Sequence, residues 1–160
     1  KILDRLNYGV TRTLRQDDPN ATTRDGMDIG LLRINFEESF VEYSGANRPL
    51  YHLSQGELKQ IKGNKFPIGG GGKYKTRTDF TTHRFDLVKG DEMYIFSDGF
   101  PDQFGGPANK KFGQQRIRSI ITENTHNSMA EMKELFEIQF DNWKGERRQT
   151  DDVLMIGIKF

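Results

Sequence analysis

Cysteine is absent from this 160-residue chain, which excludes disulfides and thiolate metal sites and fits a reducing, cytoplasmic setting. Charge of either sign is not in excess: 24 basic residues face 23 acidic ones, a formal charge of +1, so nothing global draws the chain to nucleic acid or to an anionic membrane. Any basic patch must therefore be local. No apolar run is long enough for direct membrane insertion. Residues 2–14 are interrupted by Asp4, Arg5, Asn7 and Arg12, whereas a secretory leader needs an unbroken apolar stretch. His52, His83 and His126 lack the i,i+4 spacing of a helical zinc pair and read as solvated or locally bonded. What remains, 34% hydrophobic residues over 160 positions, suffices for a real core, and one domain over residues 1–160 is expected.

Apolar spacing predicts a helix over residues 2–15, with Leu3, Leu6, Val10 and Leu14 near one face. Residues 16–24, rich in turn formers, read as an exposed and poorly ordered loop. Strands are expected at 27–34, 39–44, 50–53 and 58–61 as an antiparallel meander, and at 80–87 and 92–96 as a pair joined across Val88-Lys89-Gly90-Asp91. Two helices follow, at 112–124 and 129–143. Ser128 with Glu131 three residues on is a capping-box pattern for the second. Trp143 and Phe136 to Phe140 could form a partner-binding stripe, but aromatic spacing on a helix usually means core. A last strand is expected at 153–160. Strands, two helices and a returning strand describe an α+β fold with antiparallel β-sheet layers and packed helices.

The chemistry concentrates where strands meet acids. The run Met93-Tyr94-Ile95-Phe96 ends on Ser97-Asp98-Gly99, and Asp151-Asp152 opens the run Val153-Leu154-Met155-Ile156. If these strands are antiparallel neighbours, Asp98 and Asp151 emerge at one sheet edge, where hard divalent cations would find oxygen ligands with water filling the other positions. An Asp-Gly pair after a strand is also a common turn device, so each acid alone carries little. Other signals are weaker. The glycines 69–72 followed by Lys73 fail the phosphate-loop pattern on both sides, with Pro67 six residues before the lysine and Tyr74 after it. Arg147-Arg148 beside Gln149-Thr150 could orient a phosphate, but a solvated charge pair is the commoner outcome.

Three blocks, Ser97-Asp98-Gly99-Phe100-Pro101-Asp102-Gln103-Phe104-Gly105-Gly106, Lys111-Phe112-Gly113 and Gln149-Thr150-Asp151-Asp152-Val153, stand in the order and spacing of one family. Upstream, Asp25-Gly26-Met27-Asp28-Ile29-Gly30-Leu31, Tyr43-Ser44-Gly45-Ala46-Asn47-Arg48-Pro49-Leu50-Tyr51 and Phe66-Pro67-Ile68-Gly69 extend the match over almost the whole chain. The sequence resembles the C-terminal portion of the SpoIIE-like branch of PPM (type 2C) metal-dependent serine/threonine phosphatases. The resemblance implies an αββα sandwich and two ions, Mn²⁺ or Mg²⁺, in the complete domain. Asp98 and Asp151 would be the catalytic, metal-binding residues sharing one ion, Gly99 the close turn, and Asp152 a hydrogen-bonding neighbour of the ligand. Asp102 stands in the place of a family glutamate. Asn47-Arg48 replaces a His-Pro pair, so no role of that histidine transfers.

Relatives also carry an N-terminal Asp-Gly metal motif and a Gly-His-Gly segment that these 160 residues do not contain. The expectation is a partial domain lacking its N-terminal strands, binding metal poorly and weakly active or inactive alone. By resemblance the substrate is phosphoserine or phosphothreonine on a regulatory protein of bacterial partner-switching signalling. An upstream sensor domain is implied too, which would put the domain in the cytoplasm, including the cytoplasmic end of a membrane-attached sensor. The contrasting expectation is a non-catalytic interaction or dimerisation module. In that case a bare sheet edge, with Ile29, Leu31 and Leu32 facing solvent or another molecule, would be covered in a homodimer.

Overall fold

Leu3, Leu6 and Val10 line one face of the first helix, and that apolar stripe organises the N-terminal part of the computed structural model, which describes residues 1–18, 20–71 and 79–160. In chain order the elements are α1 (Ile2–Thr13), β1 (Gly26–Met27), β2 (Ile29–Asn35), β3 (Phe40–Ala46), β4 (Leu50–Ser54), β5 (Glu57–Ile61), β6 (Ile68–Gly69) and β7 (His83–Asp86). Then come β8 (Glu92–Phe96), α2 (Gly99–Asp102), β9 (Phe104–Gly105), β10 (Lys110–Lys111), α3 (Gln114–Glu123), α4 (Met129–Lys144) and β11 (Met155–Lys159). The architecture is α+β with antiparallel sheets. Contacts divide the chain into two units, residues 1–50 with 60–87 and residues 51–59 with 88–160.

In the first unit β2, β3 and β7 form a three-stranded antiparallel sheet, in register from Ile29↔Ala46 to Asn35↔Phe40 and from Phe40↔Asp86 to Tyr43↔His83. Helix α1 is fixed by two polar side chains as well as its apolar face. Asn7 Oδ1 accepts the Gly69 N–H at 2.7 Å, and Asp4 Oδ1 accepts the Phe80 N–H at 2.8 Å. Its apolar stripe packs with Ala46, Phe66, Ile68 and Phe80. Ile29 and Leu31, expected to face solvent or a partner, are half-buried against that cluster. A second correction concerns Gln16. It lies in the segment read as an exposed loop, yet it is buried and donates through Nε2 to the Asp25 carbonyl at 2.7 Å. Pro19 and residues 72–78, which include Lys73 and the end of the glycine run, lie outside the described residues.

The second unit holds a four-stranded sheet in the order β11-β8-β4-β5, with β8 antiparallel to both β11 and β4. Two expected pairings are overturned. Segment 83–86 pairs with β3 and not with β8, and β3 and β4 lie in different sheets, so the meander is two separate hairpins. The β4–β5 hairpin turns on Gln55 and Gly56, both at positive φ, the two-residue geometry whose twist suits antiparallel strands. Helices α3 and α4 pack Ile117, Ile120, Ile121, Met132, Phe136 and Phe140 into a core with Tyr51, Tyr94, Phe96, Phe100 and Phe112. The capping box at the start of α4 is present, with Ser128 and Glu131 bonded reciprocally. At the far end of β11, Lys159 Nζ reaches Glu92 Oε1 at 2.6 Å. That buried carboxylate also accepts the Tyr94 hydroxyl at 2.6 Å.

Candidate metal centre

Strand β8 runs out at Phe96, and the next residue carries the ladder on by a side-chain route. Ser97 N–H donates to the Leu154 carbonyl at 3.0 Å, Ser97 Oγ accepts the Leu154 N–H at 2.9 Å, and its hydroxyl donates to the Asp152 carbonyl at 2.8 Å. These bonds hold the chain after β8 beside the chain before β11. Asp98 then stands at the position just before α2 and is exposed, with its carbonyl accepting the Asp102 N–H at 2.9 Å.

Gly99 makes the approach possible. A Cβ there would overlap the Asp152 carbonyl oxygen and stand 3.1 Å from the Asp151 carbonyl carbon. The residues after Asp98 and those at Asp151-Asp152 are therefore in backbone contact at one end of the sheet. Asp151 is exposed, and its Oδ1 accepts the Asp152 N–H at 2.7 Å. Gln149 Nε2 donates to the Asp151 carbonyl at 2.8 Å. Asp152 thus touches its neighbours here through its main chain, the N–H to Asp151 and the carbonyl to Ser97.

Sequence reasoning missed the residue that joins these pieces. Gln103 is fully buried. Its Nε2 donates to the carbonyls of Phe104 at 2.9 Å and Arg148 at 3.2 Å, while its Oε1 accepts the Thr150 N–H at 2.9 Å. Its own carbonyl accepts from Phe112 N–H at 2.8 Å and Trp143 Nε1 at 3.2 Å. One amide therefore ties the segment after α2 to residues 148–150, which lead into Asp151. The only signal was a polar residue inside the block Asp102-Gln103-Phe104-Gly105. Other residues fall elsewhere. Asp102 pairs with Lys111 at 3.0 Å, and Arg147 donates to the Gly106 carbonyl at 3.1 Å. His52, expected to be solvated or locally bonded, is buried with its Nε2 2.9 Å from Asp91 Oδ2.

Two exposed carboxylates on adjoining backbone suit a hydrated hard cation, because Mg²⁺-type ions keep several waters and need only one or two protein carboxylates. Among the described residues no three His, Cys, Asp or Glu side chains gather as a metal cage.

Comparison with known proteins extends this reading. The SiaA-PP2C domain of Pseudomonas aeruginosa superposes with a TM-score of 0.77 at 24% identity, over 96% of this chain and 58% of that one. The phosphatase domain of the cell-fate determinant SpoIIE from Bacillus subtilis, presoaked with Mn, gives a TM-score of 0.58 at 13% identity over 82% and 56%. RsbX, solved in complex with magnesium, gives 0.57 at 20% identity over 98% and 69%. The chain thus spans a little over half the length of the first two. These likenesses establish the fold as that of PP2C-type phosphatase domains. No curated protein sequence matches the chain. The family model described as stage II sporulation protein E (SpoIIE) matches residues 1–160, and the chain belongs to that family.

Proposed function

We propose that this chain is phosphatase-domain sequence of a Mn²⁺- or Mg²⁺-dependent protein serine/threonine phosphatase acting on a phosphorylated regulatory protein. The observation that carries the reading is the contact of Gly99 with the Asp151-Asp152 backbone, which puts two acidic segments at one sheet end. Asp98 and Asp151 would hold the ion through their carboxylates. Such an ion, when bound, lowers the pKa of its water and polarises phosphoryl oxygens. Gly99 keeps the two segments in contact. The Asp152 N–H engages one Asp151 oxygen, which fixes the carboxylate's orientation and leaves the other oxygen for a cation. Placement of the domain beneath a sensor in a partner-switching circuit is part of the same proposal.

The test is Mn²⁺-dependent hydrolysis of an aryl phosphate by the 160-residue chain and by a version extended upstream. Little turnover is expected from the first and clear turnover from the second. Asp98→Asn and Asp151→Asn should each remove most of the activity of the extended protein. Activity that survives both substitutions would overturn the assignment.

A further inference from the structure

The stretch between Asp102 and Glu123 contains no acid and four cations, Lys110, Lys111, Arg116 and Arg118, in a chain whose charges otherwise nearly cancel. This local excess borders a groove. A cavity of about 760 Å³ is lined by β10, α3 and α4, with Phe112, Ile120, Leu135 and Trp143 among its apolar residues. Lys110, Lys111 and Arg116 line it as well, and Arg116 is in the first turn of α3. Among the described residues, the one acid lining the groove is Glu123, at the last residue of α3. Lys111 is already engaged by Asp102, whereas Lys110 and Arg116 are exposed and, among the described residues, form no ion pair with a carboxylate.

We infer that this groove docks an acidic, amphipathic segment of a partner protein. Charge complementarity selects the occupant: carboxylates would meet Lys110 and Arg116, while aliphatic or aromatic side chains would cover the half-buried Leu135 and the exposed edge of Trp143. A nucleic acid fits less well. The Trp143 ring has the Arg116 guanidinium 4.0 Å from its centroid and is not an open stacking platform, and much of the remaining lining is aliphatic. None of these residues belongs to the acidic site, so the inference stands apart from the phosphatase reading.

Trp143 is the chain's single tryptophan and so reports directly on occupancy. A random-peptide display library panned on the 160-residue chain, followed by fluorescence titration of the recovered peptides, is the test. Recovered sequences should combine Asp or Glu with Leu or Phe and bind with micromolar affinity that weakens as salt rises. The double variant Lys110→Glu, Arg116→Glu should bind them at least tenfold more weakly. Glu123→Lys should bind them more tightly, which separates a charge effect from a folding defect. The inference falls if no binder is recovered, if the recovered peptides lack acidic bias, if affinity ignores these variants, or if a mixed-sequence oligonucleotide binds more tightly than the peptides.

Discussion

The carbonyl carbon of Asp152 lies 2.9 Å from the point where a Cβ on Gly99 would stand. Backbone cannot swing aside as the end of a flexible side chain can. Gly99→Ala should therefore destabilise the second unit by about 1–3 kcal/mol, the usual cost of forcing extra volume into a packed site. Urea denaturation measures it. A variant as stable as wild type would show that the two segments separate freely.

Gln103 makes a prediction of a different kind, because its amide bonds three main-chain groups at once. Gln103→Ala leaves the Thr150 N–H without its acceptor and should cost about 1–3 kcal/mol. Hydrogen exchange at Thr150 should accelerate more than exchange in the β8–β11 ladder. Unchanged protection at Thr150 would refute the tie between Gln103 and the approach to Asp151.

A pH dependence follows from the buried pair of Asp91 and His52. Burial pushes the Asp91 carboxyl upward, but hydrogen bonds from Ser54, His52 and the Val88 N–H, with the charge of His52, hold it below its ordinary 3.8. A carboxyl with a folded pKa below its unfolded one contributes stability above the unfolded value and loses it as pH falls through the folded value. The urea midpoint of wild type should therefore drop as pH falls below about 4. Asp91→Asn should be less stable at pH 7 and show a shallower acid limb. Parallel acid limbs in the two proteins would count against this account.

Contiguous signals were the legible ones. The capping box at Ser128 and Glu131 needs only four residues, and the acidic ends at Asp98 and Asp151 each sit inside a single block. The misreadings come from pairing at a distance. Residues 88–91 do form a turn, with Asp91 N–H bonded to the Val88 carbonyl at 3.0 Å and Gly90 at positive φ. Its flanking strands nevertheless join different sheets, since β7 finds β3 and β8 finds β11 and β4. Local propensity does not encode that choice; burial against non-local partners does. Gln103 and Gln16 were missed for a related reason. A buried glutamine is recognised by the carbonyls around it, and those come from segments 45 and 9 residues away. The β9–β10 hairpin escaped because each of its strands is only two residues long.

The ion pair of Lys159 with Glu92 closes the opposite end of the strands that lead to the acids, where Lys159 stands opposite Glu92 as Met155 stands opposite Phe96. Sliding β11 by one residue would set Ile158 or Phe160 against a carboxylate that is buried and would then have lost its cation, a costly state. This charge pair acts as an index mark for the ladder. The alignment of Ser97 with Leu154, and through it the meeting of Gly99 with residues 151 and 152, is thereby decided six or more residues along the chain from either acid that would touch a metal.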